Sequence, residues 1–171
     1  MQILYGPDFN INVPTVVTIG KFDGLHSGHL KVIRKLLDVS REYGLSSVVY
    51  TFNINPKLVL KKDIFVPLMT NEEKSKEIAL LGVDYLVYED FNIEFADMLP
   101  EEFVKNILLD KLNARVIIMG ENSTFGKDGK GNVKLMKRLG DKYGFKVEVV
   151  ELLKERGEVI SSTRLREYVK S

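Results

Sequence analysis

Short runs of β-branched and aromatic residues alternate along this chain with segments that carry apolar residues at helical spacing. The strand-like runs occupy residues 16–19, 46–52, 85–88, 115–119 and 146–152. The helical segments run from residue 28 to a stop at Gly44, from a capping box at Thr70 to residue 80, from 100 to 112, and over Val133–Tyr143. Strand and helix in alternation, with short connections, are typical of βαβ units on a parallel sheet. We therefore expect one α/β domain over residues 1–171, with a Rossmann-like parallel five-stranded sheet and helices on both faces.

The composition narrows the class of protein. The chain has 171 residues, 44% of them hydrophobic, and its 25 basic and 24 acidic side chains give a net charge of +1. This balance provides no overall attraction to nucleic acid or to a membrane surface. The chain has no cysteine, and we find neither a signal peptide nor an apolar run of membrane-spanning length. We expect a soluble cytoplasmic protein that binds neither nucleic acid nor a membrane, and any anion site must be local.

Both histidines of the chain lie three positions apart in the stretch T-I-G-K-F-D-G-L-H-S-G-H at residues 18–29. This stretch leaves the first predicted strand and opens the first predicted helix. A helix N-terminus presents unpaired N–H groups and a partial positive charge, which suit a phosphate. Gly28 removes a side chain from the first helical turn, and His26 and His29 can neutralise charge that develops on a phosphoryl group. The alternative is that both histidines lie on a solvated turn and have no role.

A second group of anion-binding side chains lies in the stretch I-S-S-T-R-L-R at residues 160–166. Ser162 and Thr163 supply hydroxyl groups at a predicted helix start, and Arg166 follows on the same helix face. Hydroxyl and backbone donors together with a guanidinium group are suited to a polyphosphate. The alternative is ordinary capping of a helix.

The two motifs together resemble those of a known family. G-K-F-D-G-L-H-S-G-H with S-S-T-R-L-R is similar to the adenylyltransferase module of the bacterial bifunctional riboflavin kinase/FAD synthetase family, in the nucleotidyltransferase superfamily with an H-x-G-H signature. The resemblance covers most of the chain, including T-F at residues 51–52, P-E-E-F-V at 100–104 and G-E-N at 120–122. It implies a fold of the nucleotidyltransferase type. We expect a single domain without the riboflavin kinase domain of the bifunctional enzyme.

The resemblance implies transfer of AMP from ATP to the phosphate of FMN, which gives FAD and pyrophosphate. It implies catalytic roles for His26, His29 and Arg166, which would contact the triphosphate and stabilise the transition state. The residues that it implies for ATP binding are Gly20, Phe22, Asp23, Gly24, Gly28, Ser162, Thr163 and Arg166. Mg²⁺ is expected to accompany ATP rather than to occupy a carboxylate cage. Asp23 either assists this ion or holds the loop in an Asx turn.

The residues that the resemblance implies for FMN binding are Asn53, Asn55, Asn122, Phe125 and Gly126. The last three belong to a Gly-rich stretch at residues 120–131, for which the alternative is a mobile basic surface loop. Two positions depart from the family pattern. Ile54 replaces the first proline of T-F-x-P-x-P, and Ser123 stands where an aromatic residue is common in G-x-[DN]-F-x-F-G. Both departures lie on the acceptor side and spare the ATP motifs.

The departures on the acceptor side keep other functions open. One is transfer to another phosphorylated small molecule, such as a nicotinate nucleotide or phosphopantetheine, or a reaction that uses CTP. Another is non-catalytic binding of a flavin or a nucleotide. Aminoacyl-tRNA ligation is set aside, because the chain is small and has neither an anticodon-reading module nor a basic face. The expected partners are the small molecules ATP and FMN, and the oligomeric state is left open.

Overall fold

The strands of the protein lie side by side in one parallel sheet. The computed structural model describes residues 1–25, 27–54 and 69–152. The strands in these residues are β1 (Gln2–Tyr5), β2 (Thr15–Ile19), β3 (Ser46–Ile54), β4 (Tyr85–Phe91), β5 (Ala114–Gly120) and β6 (Lys146–Val150). They form a six-stranded sheet in the order β1-β4-β3-β2-β5-β6, in which every neighbouring pair is parallel. The carboxyl ends of the strands therefore share one edge of the sheet.

Helices connect the strands. They are α1 (Ser27–Tyr43), α2 (Asn71–Leu81), α3 (Ile93–Ala96), α4 (Pro100–Phe103), which continues as a π-helical segment (Val104–Lys111), and α5 (Val133–Tyr143). Thr70 and Glu73 form the predicted capping box of α2. The bounds predicted for α5 are confirmed, because Asn132 caps its start and Gly144 adopts a left-handed conformation at its end.

The helices cover both faces of the sheet. On one face, α1 and α2 bury an apolar stripe against the strands through Val32, Ile33, Leu36 and Ile78. On the other face, α4, its π-helical extension and α5 contribute Phe103, Val104, Leu108, Met136 and Leu139. Residues in the middle of the four central strands are completely buried, as is usual for parallel sheets, for example Val17, Val48, Val87 and Ile117.

The predicted α/β class and parallel sheet are confirmed, but the strand count of five is wrong. The additional strand, β1, pairs only with β4 and forms an edge of the sheet. Ile3 and Tyr5 of β1 are exposed, so the segment lacks the buried apolar run that marked the other strands. The strand predicted over residues 46–52 extends to Ile54 in β3, and the strand predicted over residues 146–152 ends at Val150 in β6.

The order of the strands creates a switch point at the carboxyl edge. β2 lies between β3 and β5, and the chain moves from β2 to β3 on one side and later returns to β5 on the other. A crevice forms at such a point because the two connections leave in opposite directions, and ligands of open α/β sheets bind there. The loop after β2 and the loop after β5 both begin at this point.

Candidate functional site

The chain between β2 and α1 forms a tight loop at the switch point. In residues 20–25, called the junction loop below, Phe22, Gly24 and Leu25 have positive φ angles of 49°, 86° and 34°. Left-handed backbone at a residue other than glycine costs on the order of 1–3 kcal/mol and persists only where surrounding contacts impose it. Phe22 and Leu25 are therefore strained, and the neighbours of the junction loop must hold it in this conformation.

Hydrogen bonds from β3 and α2 hold the junction loop. The N–H of Gly20 donates to the carbonyl oxygen of Tyr50 at 3.0 Å and continues the pairing of β2 with β3. The carbonyl oxygen of Lys21 accepts from Thr51 Oγ1 at 3.1 Å and from Lys74 Nζ at 2.8 Å. The backbone at the start of the junction loop is thus fixed by one strand and one helix.

Lys74 is a buried cation beside the junction loop, with 5% of its surface exposed. Its Nζ also lies 3.4 Å from Thr51 Oγ1 and 5.8 Å from the centroid of the Tyr88 ring. Burial lowers the pKa of Lys74 to about 8, and the charge of Asp23 opposes part of this effect. Burial also lowers the pKa of Lys21, again against the influence of Asp23. The base of the junction loop therefore combines two cationic groups with one buried carboxylate.

Asp23 connects the junction loop to the start of α2. The residue is 3% exposed, and its Oδ1 accepts from the N–H of Met69 at 3.0 Å. Met69 immediately precedes the Thr70 cap of α2. Met69 lies 46 positions from Asp23 in the chain, so this contact is long-range. The carboxylate holds two distant segments together.

His29 lies inside the protein at the start of α1. It is 2% exposed, and its ring meets Phe22 edge-on, with the ring centroids 5.2 Å apart and an interplanar angle of 64°. The adjacent Gly28 is also buried, and the first turn of α1 contains no acidic residue. The partial positive charge of this helix end is therefore not neutralised by its own first turn. His29 does not lie on a solvated turn.

The residues predicted for ATP binding that the structure describes are close together. Gly20, Phe22, Asp23 and Gly24 lie in the junction loop, and Gly28 and His29 lie in the first turn of α1. Five of the predicted site residues lie outside the described residues, namely His26, Asn55, Ser162, Thr163 and Arg166. The helix expected near residue 162 also lies outside them.

Asn53 lies at the carboxyl end of β3, opposite Asp90 of β4. Its Nδ2 donates to Asp90 Oδ1 at 3.4 Å, and its Oδ1 accepts from Asn71 Nδ2 at 3.1 Å. The half-buried amide of Asn53 is thus oriented by β4 and by the first turn of α2. It lies on the strand next to the junction loop.

The loop after β5 is partly packed against the protein and partly exposed. In residues 121–131, called the β5 loop below, Phe125 and Gly131 exchange backbone hydrogen bonds of 3.1 and 2.9 Å. Phe125 is 6% exposed. Gly126 has a φ of 77°, and a Cβ there would lie 2.7 Å from Pro100 Cγ and 2.9 Å from the Pro100 backbone. The β5 loop is therefore packed onto α4 at Gly126, whereas Asp128, Gly129 and Lys130 are exposed.

The two polar residues at the start of the β5 loop differ in exposure. Asn122 is exposed in the turn that follows β5. Ser123 is 5% exposed, and its N–H donates to the Gly120 carbonyl oxygen at 3.0 Å. Of these two side chains, that of Asn122 is accessible to a ligand.

Aromatic side chains line the carboxyl edge between β3, β4 and the β5 loop. This aromatic cluster consists of Tyr50, Phe52, Phe91, Phe95, Phe103 and Phe125, with neighbouring ring centroids between 5.6 and 6.0 Å apart. Phe103 and Phe125 are buried, whereas Phe52, Phe91 and Phe95 are half-buried. Such an arrangement offers an apolar wall to a flat ligand.

Sequence reasoning assigned no site role to Lys74 or to the aromatic cluster as a whole. Lys74 stands in the polar stretch N-E-E-K-S-K-E at residues 71–77, which is typical of a solvated helix face. One signal was available, because Ile78 lies one turn after Lys74 on the buried face of α2. The cluster draws its rings from separate elements, so their proximity depends on the tertiary structure.

Two further searches of the described residues bear on the site. Residues 1–25, 27–54 and 69–152 contain no group of three or more His, Asp or Glu side chains placed to hold a metal ion. In the same residues, no helix is both long enough and apolar enough to cross a membrane.

Comparison with known proteins agrees with the motifs. The family model described as FAD synthetase matches residues 8–164. A bifunctional riboflavin kinase/FMN adenylyltransferase from Buchnera aphidicola subsp. Acyrthosiphon pisum is 36% identical over 157 residues, which cover 91% of this chain and 50% of that protein. The chain thus spans about half the length of bifunctional relatives such as this one.

Two solved structures share the fold. A Streptococcus pneumoniae protein described as a macrolide-efflux protein has a TM-score of 0.83 and 29% identity, and the match covers 98% of this chain and 55% of that one. Pantoate-beta-alanine ligase from Francisella tularensis, at 17% identity, has a TM-score of 0.59 over 96% of this chain and 73% of that one. The second likeness shows the fold alone. Because the family model matches residues 8–164, nearly the whole chain, this chain belongs to the FAD synthetase family.

Proposed function

We propose that this chain is an FMN adenylyltransferase, which transfers AMP from ATP to the phosphate of FMN and releases FAD and pyrophosphate. The observation that most supports the proposal is the junction loop, whose anchors bring His29 and the first turn of α1 to the switch point of a parallel sheet. Membership of the FAD synthetase family and the similarity to FMN adenylyltransferases support the same activity.

The proposed ATP side consists of the junction loop and the start of α1. Backbone N–H groups of the first turn bind phosphate oxygens, and Gly28 allows the nucleotide to approach the helix. The imidazole of His29 donates a hydrogen bond to an oxygen of the transferring phosphoryl group. The family resemblance implies that His26, Ser162, Thr163 and Arg166 bind the same triphosphate. We include these residues in the proposed ATP side on the basis of the sequence alone.

The proposed FMN side uses the aromatic cluster and the polar residues around it. The half-buried rings of Phe52, Phe91 and Phe95 are suited to pack against the flat isoalloxazine ring and its apolar dimethylbenzene end. Asn53 and the exposed Asn122 are placed at the ends of β3 and β5 for hydrogen bonds to polar edges of the flavin. In this proposal Phe125 and Gly126 shape the wall through their packing on α4, and Asn55 is assigned from the sequence alone.

The proposed reaction needs no nucleophile from the protein. An oxygen of the FMN phosphate attacks the α-phosphorus of ATP and forms the new P–O bond. The bond from the α-phosphorus to the oxygen that bridges to the β-phosphorus breaks on the opposite side, and its electron pair leaves with pyrophosphate. The protein aligns two anions and stabilises the charge that develops between them, which is the role proposed for His29 and the start of α1.

We assign magnesium to the substrate rather than to a resident metal site. The described residues contain no cluster of metal ligands, and Oδ1 of the nearby Asp23 already accepts from Met69. Mg²⁺ keeps several waters and is commonly bound through nucleotide phosphates. The substrate in the proposal is therefore the Mg²⁺ complex of ATP, and the reaction is placed in the cytoplasm, where ATP and FMN are found.

The test is an assay of the purified chain with FMN, ATP and Mg²⁺. We expect equal amounts of FAD and pyrophosphate from the wild type. His29→Ala should lower kcat by about 10²–10³-fold, because a donor to the transition-state charge is lost. Tyr43→Ala, at the exposed far end of α1, is the matched control and should leave kcat unchanged. Absence of FAD from the wild type with Mg²⁺, Mn²⁺ or Co²⁺ would overturn the proposal.

A second assay addresses the acceptor. FMN is replaced by nicotinate mononucleotide or by phosphopantetheine, and ATP by CTP in parallel, with pyrophosphate release as the readout. We expect release only with FMN and ATP. A faster reaction with another acceptor or nucleotide would show that FMN and ATP are not the preferred substrates. We would then trace the difference to the proposed acceptor side, where Ile54 and Ser123 depart from the family pattern.

A further inference from the structure

We propose that Lys74 is a positioning residue of the nucleotide site, which keeps the strained junction loop in the conformation that presents His29 and the start of α1 to ATP. The inference rests on the function proposed above and adds to it a residue on α2 that belongs to neither terminal motif. It is carried by the contacts of Lys74 Nζ, by the burial of this group and by the backbone conformation of the loop.

The first step is the contact with the loop. Lys74 Nζ donates to the carbonyl oxygen of Lys21 at 2.8 Å, and Thr51 Oγ1 donates to the same oxygen at 3.1 Å. The peptide after Lys21 leads directly to Phe22, the first residue with a left-handed backbone. The ammonium group therefore holds the chain where the strained conformation begins.

The second step is the connection from this peptide to His29. Phe22 is 1% exposed, and its ring packs edge-on against His29 at 5.2 Å between centroids. A shift of the peptide at Lys21 would move Phe22 and would change the surroundings of the imidazole. The ring of Phe22 transmits the position of Lys74 to a group of the proposed active site.

The third step is the rigidity of the helix that carries Lys74. The hydroxyl of Tyr88 donates to the carbonyl oxygen of Asn71 at 3.0 Å, and Ser75 Oγ lies 2.8 Å from the same hydroxyl. Asp23 accepts from the N–H of Met69 just before α2. Because the first turn of α2 is tied to β4 and to the junction loop, Lys74 acts from a fixed support.

Burial of Lys74 carries a cost in stability. A lysine that is 5% exposed loses most of its hydration, and its hydrogen bonds to the Lys21 carbonyl oxygen and to Thr51 Oγ1, together with the charge of Asp23, return only part of it. An apolar side chain of the same length would avoid this cost. A positioning role accounts for a charged donor at this place, where a carbonyl oxygen must be held against backbone strain.

The test compares Lys74→Met with Lys76→Met, an exposed lysine two positions later on the same helix. We expect K74M to lower kcat for FAD synthesis by about 10²-fold, the effect of a small misplacement of reacting groups, with KM for FMN changed less than about threefold. The melting temperature of K74M should equal or exceed that of the wild type. K76M should match the wild type throughout, and K74R, which keeps charge and donors, should recover at least about tenfold of the lost kcat.

Thr51→Val supplies an independent readout. The carbonyl oxygen of Lys21 still accepts from Lys74 in T51V and from Thr51 in K74M. In the double variant it loses both donors. We expect the loss of kcat in T51V/K74M to exceed the product of the single losses. Independent, multiplicative losses would contradict action through the Lys21 carbonyl.

The rise in melting temperature that MgATP produces separates this inference from the proposed function. Failure of the wild type to make FAD overturns the proposed function. If MgATP still raises the melting temperature of the wild type but not that of K74M, the positioning role of Lys74 is nevertheless supported. A K74M protein with wild-type kcat and a wild-type MgATP response overturns the inference. A loss of activity that only follows a lower melting temperature overturns it as well. A wild type that neither makes FAD nor responds to MgATP overturns both.

Discussion

The junction loop and the β5 loop meet at the same edge of the sheet, but different forces hold them. Buried polar groups hold the junction loop, chiefly Lys74, Thr51 and Asp23. Aromatic packing on Phe103 and close contact of Gly126 with Pro100 hold the β5 loop. A loop held by charge responds to pH and to the loss of single donors, whereas a loop held by packing responds to the loss of volume. We therefore expect the proposed ATP side to be sensitive to pH and to the loss of single donors, and the proposed acceptor side to be sensitive to the loss of side-chain volume.

The largest effect is expected from Phe103→Ala. Phe103 is 2% exposed and contacts Tyr50, Phe95 and Phe125 of the aromatic cluster. Its truncation leaves a cavity and should lower the free energy of unfolding by about 3–5 kcal/mol, measured by urea denaturation. Phe103→Leu is the matched control and should recover more than half of the loss. A loss below about 1 kcal/mol would show that packing does not hold this side.

The pH dependence of stability should distinguish the junction loop. The pKa of Lys74 is lowered to about 8 in the folded state from 10.5, so the unfolded state takes up the proton first as the pH falls. Stability therefore decreases from pH 10.5 to pH 8 and is constant with respect to this group below that range. The cost at neutral pH is on the order of 3 kcal/mol.

Lys74→Met removes this dependence. Asp23, Lys21 and Tyr88, which lie near Nζ, are present in both proteins, so the difference in unfolding free energy between wild type and K74M reports chiefly on Lys74. This difference should move in favour of the wild type as the pH rises from 8 to 10.5. A difference that does not vary with pH would mean that the amine keeps its ordinary pKa.

Gly126→Ala should affect the β5 loop more than Gly129→Ala. Both glycines have positive φ angles, 77° and 64°, so each substitution carries a backbone cost of about 1 kcal/mol. Only at Gly126 would the new Cβ also lie within 2.9 Å of the Pro100 backbone, which adds about 1–2 kcal/mol. Equal losses in chemical denaturation would indicate that α4 moves aside without cost.

The smallest effect is expected from Thr70→Ala. The Thr70 side chain accepts from the N–H of Glu73 in the capping box of α2. Its loss should cost about 1 kcal/mol in unfolding free energy. Because α2 supports the junction loop, hydrogen exchange should rise in residues 20–25 and not in the β5 loop. Equal increases in both loops would remove the distinction between them.

Helices and strands were predicted correctly from the sequence where local patterns of capping residues and apolar spacing define them. The bounds of α5 and the capping box of α2 follow from caps and apolar spacing within a few residues of each other. The edge strand β1 was missed, because its paired residues on β4 lie 83 positions away and its side chains are largely exposed. The π-helical segment at Val104–Lys111 was read as ordinary helix, since the apolar spacing is similar in both.

Some features of the candidate site could likewise be predicted from the sequence, and others could not. The H-x-G-H stretch and its place between a strand and a helix can be predicted from neighbouring residues, whereas the family is predicted from motifs near the two ends of the chain. The burial of Lys74, the bond from Asp23 to Met69 and the meeting of rings from β3, β4 and the β5 loop cannot be predicted in this way. These depend on which segments the parallel sheet brings together.

The sequence by itself determined the strand-to-helix junction and each motif, because these arise from residues close together in the chain. It determined the α/β class as well, because the alternation of strand-like and helical segments is visible along the chain. Only the tertiary structure decided how the junction loop is held and which side chains face it. Backbone strain at Phe22 and Leu25 exists in this loop because distant donors on β3 and α2 are present to balance it. Such a balance has no signature in a local pattern, since its two sides lie some 50 residues apart in the chain.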